Sequence, residues 1–383
     1  MVKTTHFRVD NGDMLLVELE TGRRILVDIN IRAAADDPDD DTPDVAGQLR
    51  DRLSRDSKGR FYIDAFLLTH PDADHIRGLK KHFHLGDPAD WSKSADKILI
   101  REMWSSPIVF RRASKDHVIA EDGNAWATEA RRRVKLFREG NAAGDGNRIL
   151  ILGEDIDGKT DDLGGILVKT DQTFSAVCGL VDGSFEARLL APLIAQDEDE
   201  EEIITKNNSS VIIRLDLKLG GVTQARYLIG GDADVGVWDR IWDHNKAQSA
   251  RLEYDVLISP HHCSWRSLSY DSWSDLGEDA EVSAPARKAL GQARSGALII
   301  ASSKTVTDNN SDPPCVRAKR EYESILSPKK GEFRCIADGA GDAPFEIEVL
   351  AAGPKVKRAA FAASLAAGTG IGSQPFAHGR SDV

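Results

Sequence analysis

The sequence predicts an α/β domain in which helices cover sheets of short buried strands. Short runs rich in isoleucine, leucine and valine recur along the chain, and their lengths favour strands over helices. Amphipathic patterns of helical period lie between many of these runs. Because the order starts strand-rich and then alternates between strands and helices, we expect covered sheets rather than an all-β barrel.

The first predicted strands form a hairpin over MLLVELETGRRILVDIN, which turns at Thr21 and Gly22. The further strands are predicted, in chain order, at FYIDAFLLT, KILI, RILILG, GGILVKT, SSVIIRLDL, ARYLIGG, YDVLISP, GALIIAS and FEIEVL. The helical patterns are predicted over residues 75–84, 126–137, 235–246 and 316–326.

One domain is expected over residues 1–350, followed by a flexible tail over residues 351–383 that is rich in alanine, glycine and serine. Sheet folds often exceed about 250 residues as one unit, so the length does not require a second domain. The acidic runs at residues 36–44 and 197–202 are predicted to be solvated loops.

Composition and charge limit the classes of protein to which the chain can belong. The chain has no run of about 18 apolar residues and no apolar segment at its start, so we expect a cytoplasmic protein without a membrane span. Its four cysteines are widely spaced, which favours reduced thiols over a disulfide framework. The net charge of −12 disfavours a broad nonspecific grip on a nucleic acid backbone, but it leaves room for a local basic groove or a metal ion.

Four apolar strands end in residues that can bind a metal ion. These residues are Asp28, His70, Asp72, Asp74, His75, Asp232, His261 and His262. Neutral imidazoles and carboxylates that converge from several strand ends are what a dinuclear hydrolytic site needs. Each motif has a plainer interpretation, as a helix cap, a glycine-rich turn or a pair of loop histidines. A metal site explains all four strand ends at once.

The segment THPDADHIRGL resembles the metal-binding signature of metallo-β-lactamase-fold hydrolases, usually His-x-His-x-Asp-His, with Asp72 in place of the middle histidine. This variant is most similar to the hydrolase domain of bacterial competence DNA-uptake channel proteins and its free-standing relatives. The segments FRVDNGDMLLVEL, NNSSVIIRL, GGDAD and SPHHCSWRS are similar to further elements of that group and occur in the same order. The resemblance runs over roughly residues 5–350.

The resemblance implies a four-layer αβ/βα metallo-β-lactamase sandwich with two mixed sheets, outer helices and a dinuclear site at one edge between the sheets. The positions that match the family's ligands are His70, Asp72, Asp74, His75, Asp232 and His261. The first two would hold one ion, Asp74, His75 and His261 would hold the other, and Asp232 would bridge them. Because the set contains as many carboxylates as imidazoles, manganese is as plausible as zinc for the two divalent ions.

Other positions would support the ions or act on the substrate. Asp28 lies where the family has an aspartate that orients a ligand. His262 would contact the substrate or protonate a leaving group, and Asp74 is expected to take part in catalysis as well as in metal binding.

The chain departs from the family pattern at two expected positions. Asn207 and Asn208 stand where the family's third-motif histidine is expected, so one ion would be held more weakly or by an asparagine oxygen and water. Cys263 replaces a glycine, and we expect it to be a small packed residue beside the site.

These features predict a metallohydrolase, with phosphodiester hydrolysis of nucleic acid or a nucleotide as the expected reaction. One alternative is a catalytically degenerate binding or regulatory subunit with a protein partner in a multi-gene system. A second alternative is thioester or lactone hydrolysis at the same site, because a fold does not determine its substrate. The sequence does not determine the oligomeric state.

Overall fold

The structure is a computed structural model and describes residues 1–37, 39–107, 120–155, 158–193, 210–339 and 341–357. Two residues expected to support the metal site, Asn207 and Asn208, lie outside the described residues. The acidic run at 197–202 and residues 358–383 of the predicted tail also lie outside them.

The strands form two large sheets and a small separate hairpin. In chain order they are β1 (Val2–His6), β2 (Leu15–Glu18), β3 (Arg24–Val27), β4 (Ile29–Asn30), β5 (Ser54–Arg55), β6 (Phe61–Leu68), β7 (Phe83–His84), β8 (Ile98–Ser105), β9 (Arg148–Leu152), β10 (Leu167–Val168), β11 (Thr173–Phe174), β12 (Ala176–Val177), β13 (Leu180–Val181), β14 (Phe185–Ala191), β15 (Ile212–Leu219), β16 (Val222–Ile229), β17 (Tyr254–Ile258), β18 (Ala293–Ala301), β19 (Glu332–Cys335), β20 (Phe345–Leu350) and β21 (Gly353–Val356). The helices are α1 (Val45–Arg50), α2 (Ala73–Ile76), α3 (Leu79–His82), α4 (Glu121–Arg138), α5 (Val235–Asn245), α6 (Trp273–Leu276), α7 (Ala284–Leu290) and α8 (Val316–Leu326).

The first sheet has the strand order β10-β9-β8-β6-β3-β2-β1-β20-β21, with β5 paired to β6 and β7 paired to β8. Its strands run parallel from β10 to β3 and antiparallel from β3 to β21. The predicted hairpin is confirmed, since β2 and β3 are antiparallel with Leu15 opposite Val27. This sheet is therefore mixed.

The second sheet has the strand order β11-β14-β15-β16-β17-β18-β19. It is antiparallel from β11 to β16 and parallel from β16 to β19, so it is mixed as well. A buried core fills the space between the two sheets and includes Val17 and Trp104 from the first sheet and Ile213 and Ile258 from the second. The sheets thus pack face to face.

Helices cover the outer face of each sheet. In α4, Trp126, Ala130 and Val134 are spaced by four residues, so they share one helix face and pack on the first sheet. Buried residues of α5, α7 and α8 form a third core with the outer face of the second sheet, including Trp238 and Tyr322. The order helix, sheet, sheet, helix confirms the predicted four-layer αβ/βα sandwich.

The helix predicted over residues 75–84 is wrong. The backbone leaves helix geometry after Ile76, because Ile31 N–H is bonded to the carbonyl of Arg77 at 2.9 Å. Gly78 then adopts a φ of +96°, and a Cβ at this position would lie 2.7 Å from Cβ of Ile31. Close packing against the strand segment beside it therefore splits the predicted helix into α2 and α3, and only glycine fits at the break.

The first sheet extends beyond residue 350, where we expected the domain to end. Strand β21 pairs antiparallel with β20, with Ile347 opposite Val356. The expected boundary at residue 350 thus falls inside a hairpin. Among the described helices, none has both the length and the apolar character needed to cross a bilayer.

Candidate metal centre

The candidate metal centre lies where strands of both sheets end. In the first sheet, Asp28 follows β3 and His70 comes shortly after β6; in the second, Asp232 follows β16 and the pair His261 and His262 follows β17. Strand β3 is parallel to β6, and β16 is parallel to β17. The carboxyl ends of these strands therefore meet at one edge of the sandwich.

Backbone contacts at this edge join the two sheets and also join neighbouring loops of the second sheet. Val211 N–H donates to the carbonyl of Thr69 at 2.9 Å, and His261 N–H donates to the carbonyl of Gly231 at 3.0 Å. Gly231 has a φ of +50°, and a Cβ there would lie only 2.9 Å from Oγ1 of Thr69. The glycine before Asp232 thus allows the first sheet to approach.

Four atoms that could bind a metal ion, which we call the inner set, are linked by short distances: Oδ2 of Asp74, Nε2 of His75, Oδ1 of Asp232 and Nε2 of His262. Nε2 of His75 lies 3.0 Å from Oδ1 of Asp232 and 3.2 Å from Nε2 of His262. Nε2 of His262 lies 3.4 Å from Oδ1 of Asp232 and 3.3 Å from Oδ2 of Asp74. Tetrahedral ligands with bonds of about 2.0–2.1 Å are separated by about 3.3 Å. The mutual spacing of the His75, Asp232 and His262 atoms matches such a site, and Oδ2 of Asp74 adjoins them beside His262.

A looser group, the outer set, consists of Oδ2 of Asp232 with Nε2 of His70 and Nε2 of His261. Nε2 of His70 lies 3.5 Å from this oxygen, and Nε2 of His261 lies 3.6 Å from it. The two oxygens of one carboxylate thus face two different pairs of imidazoles.

Several buried nitrogen and oxygen atoms at this edge have no hydrogen-bond partner among the described residues. They are Oδ1 of Asp13, Nε2 of His70, Oδ1 of Asp232, Nδ1 of His261 and Nδ1 of His262. A buried polar atom without a partner costs about 1–3 kcal/mol. Divalent ions coordinated by His70 and Asp232 would remove that cost, so the residues present fit metal ions.

Asp28 orients the imidazole of His75. Its Oδ2 accepts a hydrogen bond from Nδ1 of His75 at 2.8 Å, and its Oδ1 accepts one from Thr69 N–H at 2.7 Å. The hydroxyl of Thr69 also donates to Oδ2 of Asp28, at 2.5 Å. With Nδ1 of His75 as the donor, the lone pair on Nε2 of the neutral ring is left for a metal ion. This geometry suits the supporting role expected of Asp28.

The charges at the site stabilise one another. Burial opposes a charge on His75, but the carboxylates of Asp232 and Asp28 raise the pKa of its imidazole well above the ordinary value. Burial likewise opposes a charge on Asp232, yet the surrounding imidazoles, His75 foremost, hold the pKa of this carboxyl well below its usual range. The same balance would favour a metal cation in place of the imidazole protons.

Asp13 is the member of the site that the sequence analysis missed. One donor atom from each of Asp13, His75, Asp232 and His262 lies within 4.8 Å of the other three, and all four residues are buried. Oδ1 of Asp13 lies 3.9 Å from Nδ1 of His262, and Asp13 N–H donates to the carbonyl of Asp74 at 3.2 Å. The signal was the Gly-Asp pair in FRVDNGDMLLVEL, a segment that contributed to the family resemblance but not to the predicted site.

His261 and His262 occupy positions that differ from those predicted from the sequence. We expected His261 among the ligands of the inner group and His262 beside the substrate, but it is His262 that lies in the inner set, while His261 lies in the outer set. Left-handed φ values of +50°, +53° and +69° at His261, His262 and Cys263 make a sharp turn here. That turn directs the second histidine inward.

Asp72 and Cys263 are two further residues of the predicted site. Asp72, expected beside His70, is the residue before α2 and makes no side-chain capping bond to that helix, and its role as a ligand stays a prediction. Cys263 is fully buried, with Sγ 3.9 Å from the carbonyl of Cys315. This surrounding suits the small packed residue that we expected at Cys263.

No protein-family model and no curated protein matches the chain. Solved structures with a related backbone include the isothiocyanate hydrolase from Delia radicum gut bacteria, which is 13% identical over 88% of this chain and 97% of that chain, with a TM-score of 0.36. They also include a long form RNase Z from yeast, which is 10% identical over 67% of this chain and only 32% of that chain, with a TM-score of 0.29. At these TM-scores the similarities carry no argument about activity. The layer order and the edge at which histidine and aspartate residues converge agree with the arrangement that the sequence analysis predicted.

Proposed function

We propose that this chain is a metal-dependent hydrolase that cleaves phosphodiester bonds in nucleic acid or a nucleotide. The observation that carries the proposal is the position of Asp232, whose two carboxylate oxygens face two different pairs of imidazoles. A carboxylate shared in this way suits a pair of divalent ions, either zinc or manganese. When bound, such ions lower the pKa of water and polarise a substrate oxygen.

The chain's own residues would position the ions and keep ligand charges in place. His75 is fixed by Asp28 in the orientation that leaves Nε2 available to a metal ion. Asp74 has the most open side chain of the inner set, with 34% of it exposed. Burial opposes its charge, but His262 and His75 lower the pKa of the Asp74 carboxyl, so near neutral pH the group is a carboxylate that can bind an ion and accept a hydrogen bond.

The chemistry of the ligands supports a phosphodiester as the substrate. The inner set contains two carboxylate oxygens beside two imidazoles, and such oxygen-rich sites suit hard divalent ions. Hard ions in turn bind the oxygens of phosphate well. Two such metal ions would also create a local attraction for phosphate in a chain whose net charge is −12.

The test begins with the metal content of the purified chain, followed by assays on single-stranded DNA, RNA and cyclic nucleotides with added manganese or zinc. The parent should retain close to two ions and cleave at least one of these substrates, whereas Asp232→Asn should do neither. Asp243→Asn is the matched control, because Asp243 is an exposed aspartate on α5 with 63% of its side chain accessible.

Two results would point elsewhere. A chain that binds no metal and cleaves nothing would favour a binding or regulatory subunit with a protein partner. A chain that retains its ions but cleaves only thioesters or lactones would keep the metal site and change the substrate.

A further inference from the structure

A cavity of about 610 Å³ opens beside the candidate metal centre. Its lining includes Asp234, Arg266, Tyr270, Ser272, Ser274 and Asn310. Asp234 links the two places, since its Oδ1 lies 3.6 Å from Nδ1 of His261 in the outer set. A volume of this size lies within the range of about 300–1,000 Å³ that small-molecule sites occupy.

Tyr270 offers an open aromatic face in this cavity. It is 71% exposed, although large apolar or aromatic side chains are more often buried. Its hydroxyl donates to Oδ2 of Asp239 on α5 at 3.0 Å, which fixes the far end of the ring. The loop that carries it is anchored by the buried side chains of Trp265 and Trp273. A ring held in this way loses little freedom when a flat ligand stacks on it.

Arg266 supplies a positive charge in the same cavity. Its side chain is exposed, and within the described part of the chain the guanidinium forms no ion pair. Only its backbone N–H is engaged, with Oγ of Ser264 at 3.1 Å. The fork of donors on a guanidinium matches the oxygens of a phosphate group.

Two of the carboxylates that line the cavity, those of Asp271 and Asp312, are bonded to the backbone, while Asp234 lies on the side of the metal centre. Oδ2 of Asp271 accepts from Glu281 N–H at 2.8 Å, and Oδ1 of Asp312 accepts from Trp265 N–H at 3.0 Å. These bonds hold the walls of the cavity. The hydroxyls of Ser272 and Ser274 lie 2.9 Å apart and add polar groups of the kind that bind sugar hydroxyls.

We propose that this cavity binds one nucleotide unit of the substrate, with its base stacked on Tyr270 and a phosphate held by Arg266. An aromatic face, an open guanidinium and two hydroxyls correspond to the base, the phosphate and the sugar of a nucleotide. The proposal rests on the proposed function and names the part of the substrate that lies beside the reacting bond. It makes Tyr270 and Arg266 determinants of specificity.

The experiment is a calorimetric titration of the full-length, metal-loaded chain with adenosine 5′-monophosphate, and separately with inorganic phosphate and with adenosine. Tyr270→Ala should raise the Kd for the nucleotide at least about five-fold, as expected for a lost stacking contact, and leave phosphate binding unchanged. Tyr270→Phe should retain most of the affinity, since it keeps the ring. Arg266→Gln should weaken binding of the nucleotide more than binding of adenosine.

Leu276→Ala is the control, because Leu276 is 48% exposed near Tyr270 along the chain and does not line the cavity. The proposal is overturned if the nucleotide binds no better than phosphate, or if Tyr270→Ala and Arg266→Gln bind it as the parent does. Because binding is measured without turnover, the two proposals can fail separately. Cleavage of RNA without nucleotide binding in the cavity would reject only this inference, whereas binding without any cleavage would reject only the proposed hydrolysis.

Discussion

The inner and outer sets share Asp232 but differ in the distances between their atoms and in the burial of their histidines. In the inner set, donor atoms lie 3.0–3.4 Å apart, and the side chains of His75 and His262 are 0% and 1% exposed. In the outer set, the two distances to Asp232 are 3.5 and 3.6 Å, and the side chain of His261 is 15% exposed. The inner set already has the spacing of a coordination sphere, whereas the outer set does not.

The two sets differ because the Nδ1 atoms of their imidazoles have different hydrogen-bond partners. Nδ1 of His75 is bonded to the carboxylate of Asp28 at 2.8 Å. Among the described residues, the hydrogen-bond partner of Nδ1 of His70 is the hydroxyl of Thr69, at 3.2 Å. A hydrogen bond to a charged group is roughly twice as strong as one between neutral groups. We therefore expect one tightly held ion in the inner set and one exchangeable ion in the outer set.

The largest effect is expected from Asp232→Asn, which removes the charge that both sets share. Bound metal should fall from about two ions to none, and the rate should drop roughly a thousand-fold, because metal Lewis acidity contributes several kcal/mol and each 1.36 kcal/mol is a factor of ten. Elemental analysis and the rate on the cleaved substrate measure both. If the variant kept both ions, Asp232 would not be the shared ligand.

The comparison is tested most directly by His262→Ala and His261→Ala. The first should lose the tight ion, and its metal affinity should fall by more than the 10- to 100-fold typical of a lost supporting contact. The second should lose only the exchangeable ion. Metal remaining after dialysis against a weak chelator distinguishes them. The reverse result would restore the roles that the sequence alone suggested for these two residues.

Asp28→Asn should have an intermediate effect. The amide cannot hold His75 with the same charge-assisted bond, so affinity for the tight ion should fall about 10- to 100-fold. Competition with a coloured chelator gives this value. The exchangeable ion should be lost to a smaller extent, since Asp28 reaches the outer set through the Thr69 hydroxyl beside His70; a loss of equal size from both sites would mean that the substitution disturbs the whole edge.

The smallest effect concerns the strained turn that places His262. Cys263 has a φ of +69°, a conformation that favours glycine. Cys263→Gly and Cys263→Ala both remove the buried thiol, but only glycine relieves the backbone. We expect the glycine variant to have a free energy of unfolding about 1 kcal/mol higher than the alanine variant.

Urea unfolding of the two metal-loaded variants measures this difference. Alanine is ordinarily the more stabilising residue of the two, because glycine loses more backbone entropy on folding. An alanine variant of equal or higher stability would therefore show that the turn at Cys263 is not strained.

Local sequence patterns predicted most of the elements that build the site. The helices at residues 235–246 and 316–326 correspond to α5 and α8, because their apolar residues repeat with helical period. The prediction of one helix over residues 75–84 was wrong because the local pattern contains no information about Ile31. The backbone bond between Ile31 and Arg77 interrupts the helix. Strands β1, β14 and β19 were not predicted, because strand formation depends on cross-strand neighbours that local patterns do not contain, such as Val349 opposite Val2.

The sequence by itself determined which strand ends carry aspartate and histidine, because apolar runs and the residues that follow them are local features. Only the tertiary structure decided that Asp13 joins the site and that His262, not His261, enters the inner set. Asp13 arrives through a backbone bond to Asp74, and His262 through a left-handed turn. Both depend on contacts between segments far apart in the chain, which no short pattern of residues contains.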